Sequence, residues 1–186
     1  MTMTTWIILG VVVLALLWGI SVYNGLVRRK NMVQEGWSGI DVQLKRRADL
    51  IPNLVETVKG YASHERGTFD ELTKLRSQTG TQDVAQRAQT EAAITAAIGK
   101  VMAVAEAYPD LKASANFQQL QNNLNDIEDQ IQMARRYYNG TVRDYNVSIQ
   151  QFPSSVVAGI GGFTAQQFFQ LDNAADREAP KVSFGT

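Results

Sequence analysis

From Val33 to Tyr61 the apolar residues recur at alternating steps of four and three: Val33, Trp37, Ile40, Leu44, Ile51, Leu54, Val58 and Tyr61. That spacing lines one face of an α-helix, and so continuous a face has to be buried against neighbouring helices. Arg47 alone interrupts it, a cation where the pattern requires an apolar side chain. Upstream, Thr5 to Tyr23 is a run of 19 residues without a charge. At about 1.5 Å per residue it spans about 28 Å, the hydrocarbon thickness of a bilayer. Trp6, Trp18 and Tyr23 sit at or near its ends, where interfacial aromatics belong. No basic residue precedes the run and no small-residue cleavage pattern follows it, so a retained single-pass anchor is expected instead of a signal peptide. The first helix thus rises from a membrane and forms a wall of a helical domain.

The rest of the chain repeats the helical pattern. Pro52 falls inside the first stripe and predicts a kink, since it removes the hydrogen bond to the Ala48 carbonyl. Gly60 and Gly67 bracket a turn or a bend, because Leu72 and Leu75 keep the phase set by Tyr61. Gly80 marks a clearer break. A helix rich in small residues is predicted from about Asp83 to Ala107, with Ile94, Ile98, Val101, Ala105 and Tyr108 as its stripe, ending at Pro109. The last long helix carries Phe117, Leu120, Leu124, Ile127, Ile131, Ala134, Tyr138, Val142, Tyr145, Ile149 and Phe152, a heptad pattern with one stutter at Tyr138. Pro153 closes it. These elements predict an all-α fold: an N-terminal transmembrane helix followed by an up-and-down, antiparallel four-helix bundle with long coiled-coil-like helices. The expected divisions are 1–23 for tail and anchor, 24–152 for a cytoplasmic bundle, and 153–186 for an apolar segment and extended tail near the membrane end. If the first and last long helices are antiparallel neighbours, pairing residue 24 with 152 makes facing positions sum to about 176. Arg47 then faces Glu128 and Asp129, and Asp41 faces Arg135. A buried arginine needs such a carboxylate.

Composition narrows the chemistry. The 18 basic and 18 acidic residues cancel, which gives no global bias toward nucleic acid. There is no cysteine, so disulfides, thiolate metal sites and cysteine nucleophiles are excluded. His64 is the single histidine, too few for a zinc site and a poor basis for catalysis. No catalytic residue, metal site, cofactor or small-molecule substrate is expected. Arg28, Arg29 and Lys30 follow the anchor as a basic collar suited to anionic lipid, and no Lys or Arg precedes it. The positive-inside rule then places the N-terminus outside and the bundle in the cytoplasm. Ala15 and Gly19 form a small-xxx-small pair that could join two anchors. The segment from Phe152 to Leu171 is apolar and glycine-rich without a phosphate-loop pattern. It is expected to pack on the base of the bundle, with an interfacial position as the alternative. Val182 and Phe184 are possible docking points in the polar tail.

Three stretches then carry a resemblance: IDVQLKRRADLIPNLVETVKGYASHE from Ile40, YPDLKASANFQQLQNNL from Tyr108, and ARRYYNGTVRDYN followed by FPSSVVAG. In that order, with the closing APKVSF, they resemble the LemA family over almost the whole chain from Tyr23. The resemblance implies a bacterial, membrane-anchored, four-helix up-and-down bundle with no enzymatic activity, some of whose relatives take part in magnetosome formation. The motif residues carried over are Arg46, Arg47, Asp49, Pro52, Asn53, Glu56, Arg136, Tyr137, Tyr138, Asn139, Tyr145 and Asn146, and no catalytic role comes with them. Arg46, Asp49, Asn53 and Glu56 recur at helical spacing beside the apolar stripe; Arg135, Asn139, Val142 and Asn146 do so on the last helix. These polar stripes either zip the helices together or form a groove for a partner helix. The expected function is a membrane-tethered scaffold at the inner membrane, organising envelope proteins or the membrane itself through self-association. The alternative is an adaptor that docks one partner, such as a membrane protease or stress-signalling component.

Overall fold

The computed structural model describes residues 2–62, 66–80 and 83–170, and every regular element among them is a helix. In chain order these are α1 (Met3–Lys59), α2 (Arg66–Ser77), α3 (Val84–Glu106), α4 (Pro109–Ala113), α5 (Ala115–Gln150) and α6 (Ser154–Ile160). His64 and the tail positions Val182 and Phe184 lie outside the described residues.

Helix α1 is continuous through the apolar run, and residues 2–18 are all exposed. Leu, Ile and Val bared on every side of a helix are stable in hydrocarbon and not in water, which makes this stretch a candidate membrane span. The helix also runs through Pro52 without ending. The carbonyl that proline leaves without a partner is that of Ala48, and Arg76 of α2 donates to it through Nε at 2.9 Å. A side chain from the next helix thereby replaces the missing main-chain donor. At Lys59 α1 stops. The Gly60 and Ala62 amides donate back to the carbonyls of Glu56 and Val58, and α2 begins at Arg66 as a separate helix. Tyr61, expected on the buried stripe, falls just past this end and is exposed, while Ala62 is buried in its place.

The described residues divide into two compact units, 2–41 with 132–168, and the described part of 42–131 with 169–170. In the second, the last turns of α1 (Ile51, Leu54, Val58), α2 (Phe69, Leu72), α3 (Ile94, Ala97, Val101, Ala105), α4 (Leu111) and the start of α5 (Phe117, Leu120, Leu124) share one core. The heptad phase survives from α1 into α2 because both helices present their apolar faces to this core. Alanines at the buried positions of α3 let its backbone come close to its neighbours. Asp83 caps α3 by accepting from the Gln86 amide at 2.9 Å.

In the first unit α1 and α5 run antiparallel in close contact. A Cβ built on Gly36 would lie 3.2 Å from the Tyr138 Cα, so glycine is what lets the two helices approach there. The Trp37 and Tyr138 rings meet at 5.6 Å, and Arg29 donates to the Ser148 hydroxyl. Each of these pairs sums to within two of 176, close to the register read from helix lengths. Leu26, Val33 and Ile40 on α1, and Tyr138, Val142 and Tyr145 on α5, are buried. Phe152, expected to close the α5 stripe, lies beyond the helix end and is 80% exposed. The Phe152–Pro153 peptide is cis.

Candidate functional site

Arg47 is 2% exposed, and its guanidinium is the centre of a charged cluster in the second unit. Nη2 lies 2.6 Å from Glu91 Oε2 and donates to the Glu91 carbonyl at 3.2 Å. Nη1 donates to Glu128 Oε2 at 2.7 Å and to the Thr95 hydroxyl at 2.8 Å. Arg87, one turn before Glu91 on α3, brings its Nε to 2.8 Å from Glu91 Oε1 and donates through Nη1 to the Thr79 carbonyl. Two guanidinium and two carboxylate groups balance within one site. Glu91 is 1% exposed and Glu128 is 32% exposed, so the inner carboxylate carries most of the desolvated pairing. Arg87 and Glu91 were not anticipated. They extend the α3 stripe backward from Ile94 in steps of three and four, a signal present in the sequence: charged residues on the phase of a buried face. Nothing in this cluster resembles a catalytic arrangement; its chemistry is mutual neutralisation.

The α5 motif residues meet the chain that returns after α6. The Tyr138 hydroxyl donates to the Gln167 carbonyl at 2.8 Å, and the Tyr145 hydroxyl to the Thr164 carbonyl at 3.0 Å. Asn146 grips Gln166 from both sides: its Nδ2 donates to the Gln166 carbonyl, and its Oδ1 accepts from the Gln166 amide, each at 2.9 Å. Three side chains thus fix an extended strap, residues 163–168, along α5. Burial pushes the hydroxyls of Tyr138 and Tyr145 above the ordinary tyrosine value, because the phenolate would lose its hydration.

The α1 motif residues lie differently. Arg46, Asp49, Asn53 and Glu56 are exposed, and Pro52 is half-buried. Arg46 and Asp49 line a groove of about 540 Å³ together with Leu50 of α1 and Asn123, Asp126, Ile127 and Gln130 of α5. Arg46 also reaches Gln43 at 3.4 Å. Asp129, Arg136 and Tyr137 are exposed, and Asn139 is half-buried. Arg28, Arg29 and Lys30 are exposed on α1 beyond the apolar run. Among the described residues no group of three His, Asp or Glu side chains could hold a metal ion.

The motif positions on the two helices fit one known family, and residues 36–184 match its sequence model, the LemA family. The chain belongs to the LemA family. Magnetosome protein MamQ 2 of Paramagnetospirillum magneticum is 26% identical over 181 residues, covering 83% of this chain and 66% of its own length. Magnetosome protein MamQ of Magnetospirillum gryphiswaldense is 25% identical with the same coverage. Protein LemA of Metamycoplasma hominis is 31% identical over 137 residues, 73% of this chain and 63% of its own. This LemA-family chain therefore spans just under two thirds of the length of the curated relatives it matches.

Proposed function

We propose that this LemA-family chain is a non-enzymatic, membrane-tethered helical scaffold that organises other envelope proteins. The observation that carries the reading is the division of labour among the motif residues. Tyr138, Tyr145 and Asn146 are engaged inside the fold, whereas Arg46, Asp49, Asn53 and Glu56 stand exposed on α1, two of them lining a groove with both charged and apolar walls. Polar residues at helical spacing that do not join the internal network are suited to a protein partner. The bare apolar start of α1 supplies the tether. On this reading the helices form an up-and-down four-helix bundle on the cytoplasmic side of the inner membrane, with the collar of Arg28, Arg29 and Lys30 against anionic headgroups. Relatives named as magnetosome proteins support a role in organising membrane-bound assemblies.

The groove also supports the second reading, an adaptor that docks one specific partner. The size of the full chain in detergent separates the two. A scaffold gives a defined homo-oligomer that Arg46→Glu with Asp49→Arg disperses; an adaptor runs as a monomer whatever the charge at these positions.

A further inference from the structure

The geometry points to α6 as a second membrane contact, a short helix lying in the bilayer interface beside the anchor with Phe152, Val156 and Ile160 turned into lipid. Val156 and Ile160 share one face of α6 and are 54% and 86% exposed, and Phe152, in the turn just before the helix, is 80% exposed. The opposite side of α6 is engaged: Ala158 is 2% exposed, and the Ser154 hydroxyl donates to the Ser148 carbonyl at 2.7 Å. The segment is therefore docked by one face and bare on the other.

Its height is set by α1. Tyr23, the last residue of the uncharged run, meets the Phe163 ring edge-on at 5.4 Å. A Cβ on Gly161 would lie 2.7 Å from the Phe163 ring and 3.1 Å from the Tyr23 ring, so the turn after α6 is seated where the apolar run ends. Gly162 completes that turn at φ +66. Arg29, just past this level, donates to Ser148 and fixes the end of α5 beside it. The bare stripe is thus continuous with the surface of the candidate span at the depth where hydrocarbon gives way to headgroups.

Composition agrees with that depth. No charged residue lies between Asp144 and Asp172, so nothing in this stretch resists partial dehydration. The nearest cations, Arg28, Arg29 and Lys30, sit one to two turns beyond Tyr23 on α1, in position for the phosphate layer. An apolar stripe with a cationic margin is the pattern of an interfacial helix.

This inference rests on the membrane tether proposed above, and the test keeps the two apart. The chain has no cysteine, so single labels can be placed at Leu14→Cys in the apolar run, Ile160→Cys on α6 and Asp70→Cys on the exposed side of α2. The full chain is reconstituted in vesicles of mixed anionic and zwitterionic phospholipid and probed with a lipid-borne quencher and with aqueous iodide. The label at 160 is expected to be quenched from a shallow lipid depth and shielded from iodide several-fold relative to position 70, with position 14 quenched from deeper. Iodide access at 160 equal to that at 70, with 14 still quenched by lipid, would overturn the interfacial helix and leave the tether standing. Failure of lipid quenching at 14 would remove the tether and the inference with it. Shielding at 160 from both quenchers would mean that protein covers the stripe, and would also overturn it.

Discussion

Replacing Glu91 by glutamine removes one charge and almost no volume, and it should be among the most damaging single changes in the second unit. Arg47 and Arg87 are 2% and 6% exposed, and Glu91 is the carboxylate closest to both. In Glu91→Gln the two guanidinium groups remain buried, Arg47 keeps Glu128 as a carboxylate partner, and Arg87 loses the Glu91 carboxylate. Breaking a buried ion pair from one side costs about 3–5 kcal/mol, because a charge stays desolvated without compensation. The Glu91 carbonyl still accepts from Arg47, and the new amide oxygen can do the same, so the lower end, about 3 kcal/mol, is expected. For a chain of this size that corresponds to a fall in Tm of roughly 6–12 °C. Glu128→Gln is the internal control. Its side chain is 32% exposed, water can take over part of its role, and about 1 kcal/mol is expected. Thermal and urea unfolding of the full chain in detergent, followed by far-ultraviolet circular dichroism, measures both. In a double-mutant cycle with Arg47→Met, the two losses should fall short of additivity, since each removes the same contact. A Glu91→Gln loss within about 1 kcal/mol of wild type, or a larger loss for Glu128→Gln, would refute the assignment of Glu91 as the inner counter-ion.

Tyr138 and Tyr145 have hydroxyl pKa values raised above 10.0 in the folded chain, so each holds its proton more tightly folded than unfolded. Their contribution to stability is fully present below the unfolded value of 10.0 and is lost as pH rises past it through the higher folded values. Urea unfolding at a series of alkaline pH values should show this decline, and Tyr138→Phe with Tyr145→Phe should flatten it. Arg76→Ala, which uncovers the Ala48 carbonyl, should cost about 1 kcal/mol in wild type and close to nothing in Pro52→Ala, where the residue 52 amide can take that carbonyl itself; equal losses in both backgrounds would contradict the substitute-donor role. Gly36→Leu must push α1 from the Tyr138 backbone and should lower stability by about 1–3 kcal/mol, a loss that unfolding would detect and Gly10→Leu in the apolar run would not share.

Long stripes were legible because burial against another helix imposes a period that survives in the sequence. That signal marked α1, α3 and α5 and gave a register near 176, which places Arg47 opposite Glu128. The missing member was Glu91. It is invisible to a two-helix argument because it comes from α3, yet its phase with Ile94, Ile98 and Val101 would have exposed it. The strap was illegible for a different reason. Its acceptors at Thr164, Gln166 and Gln167 are main-chain groups, identical for every residue type, so the pattern placed Tyr138 and Tyr145 on the apolar stripe and Asn146 on the polar one without showing what they bind. The break at Gly60 was hidden by the shared core, which keeps α2 in phase with α1. Phe152, read as the last core residue of α5, instead lies exposed in the turn between α5 and α6.

Photocrosslinking in cells tests the scaffold reading most directly. A photoreactive residue at Asp49, in the α1–α5 groove, is compared with one at Asp70, exposed on α2. A docking face predicts a discrete protein adduct from position 49, a second copy of the chain or another envelope protein, that disappears with Arg46→Glu and has no counterpart from position 70. No adduct at 49, or the same adducts from both positions, would contradict the account.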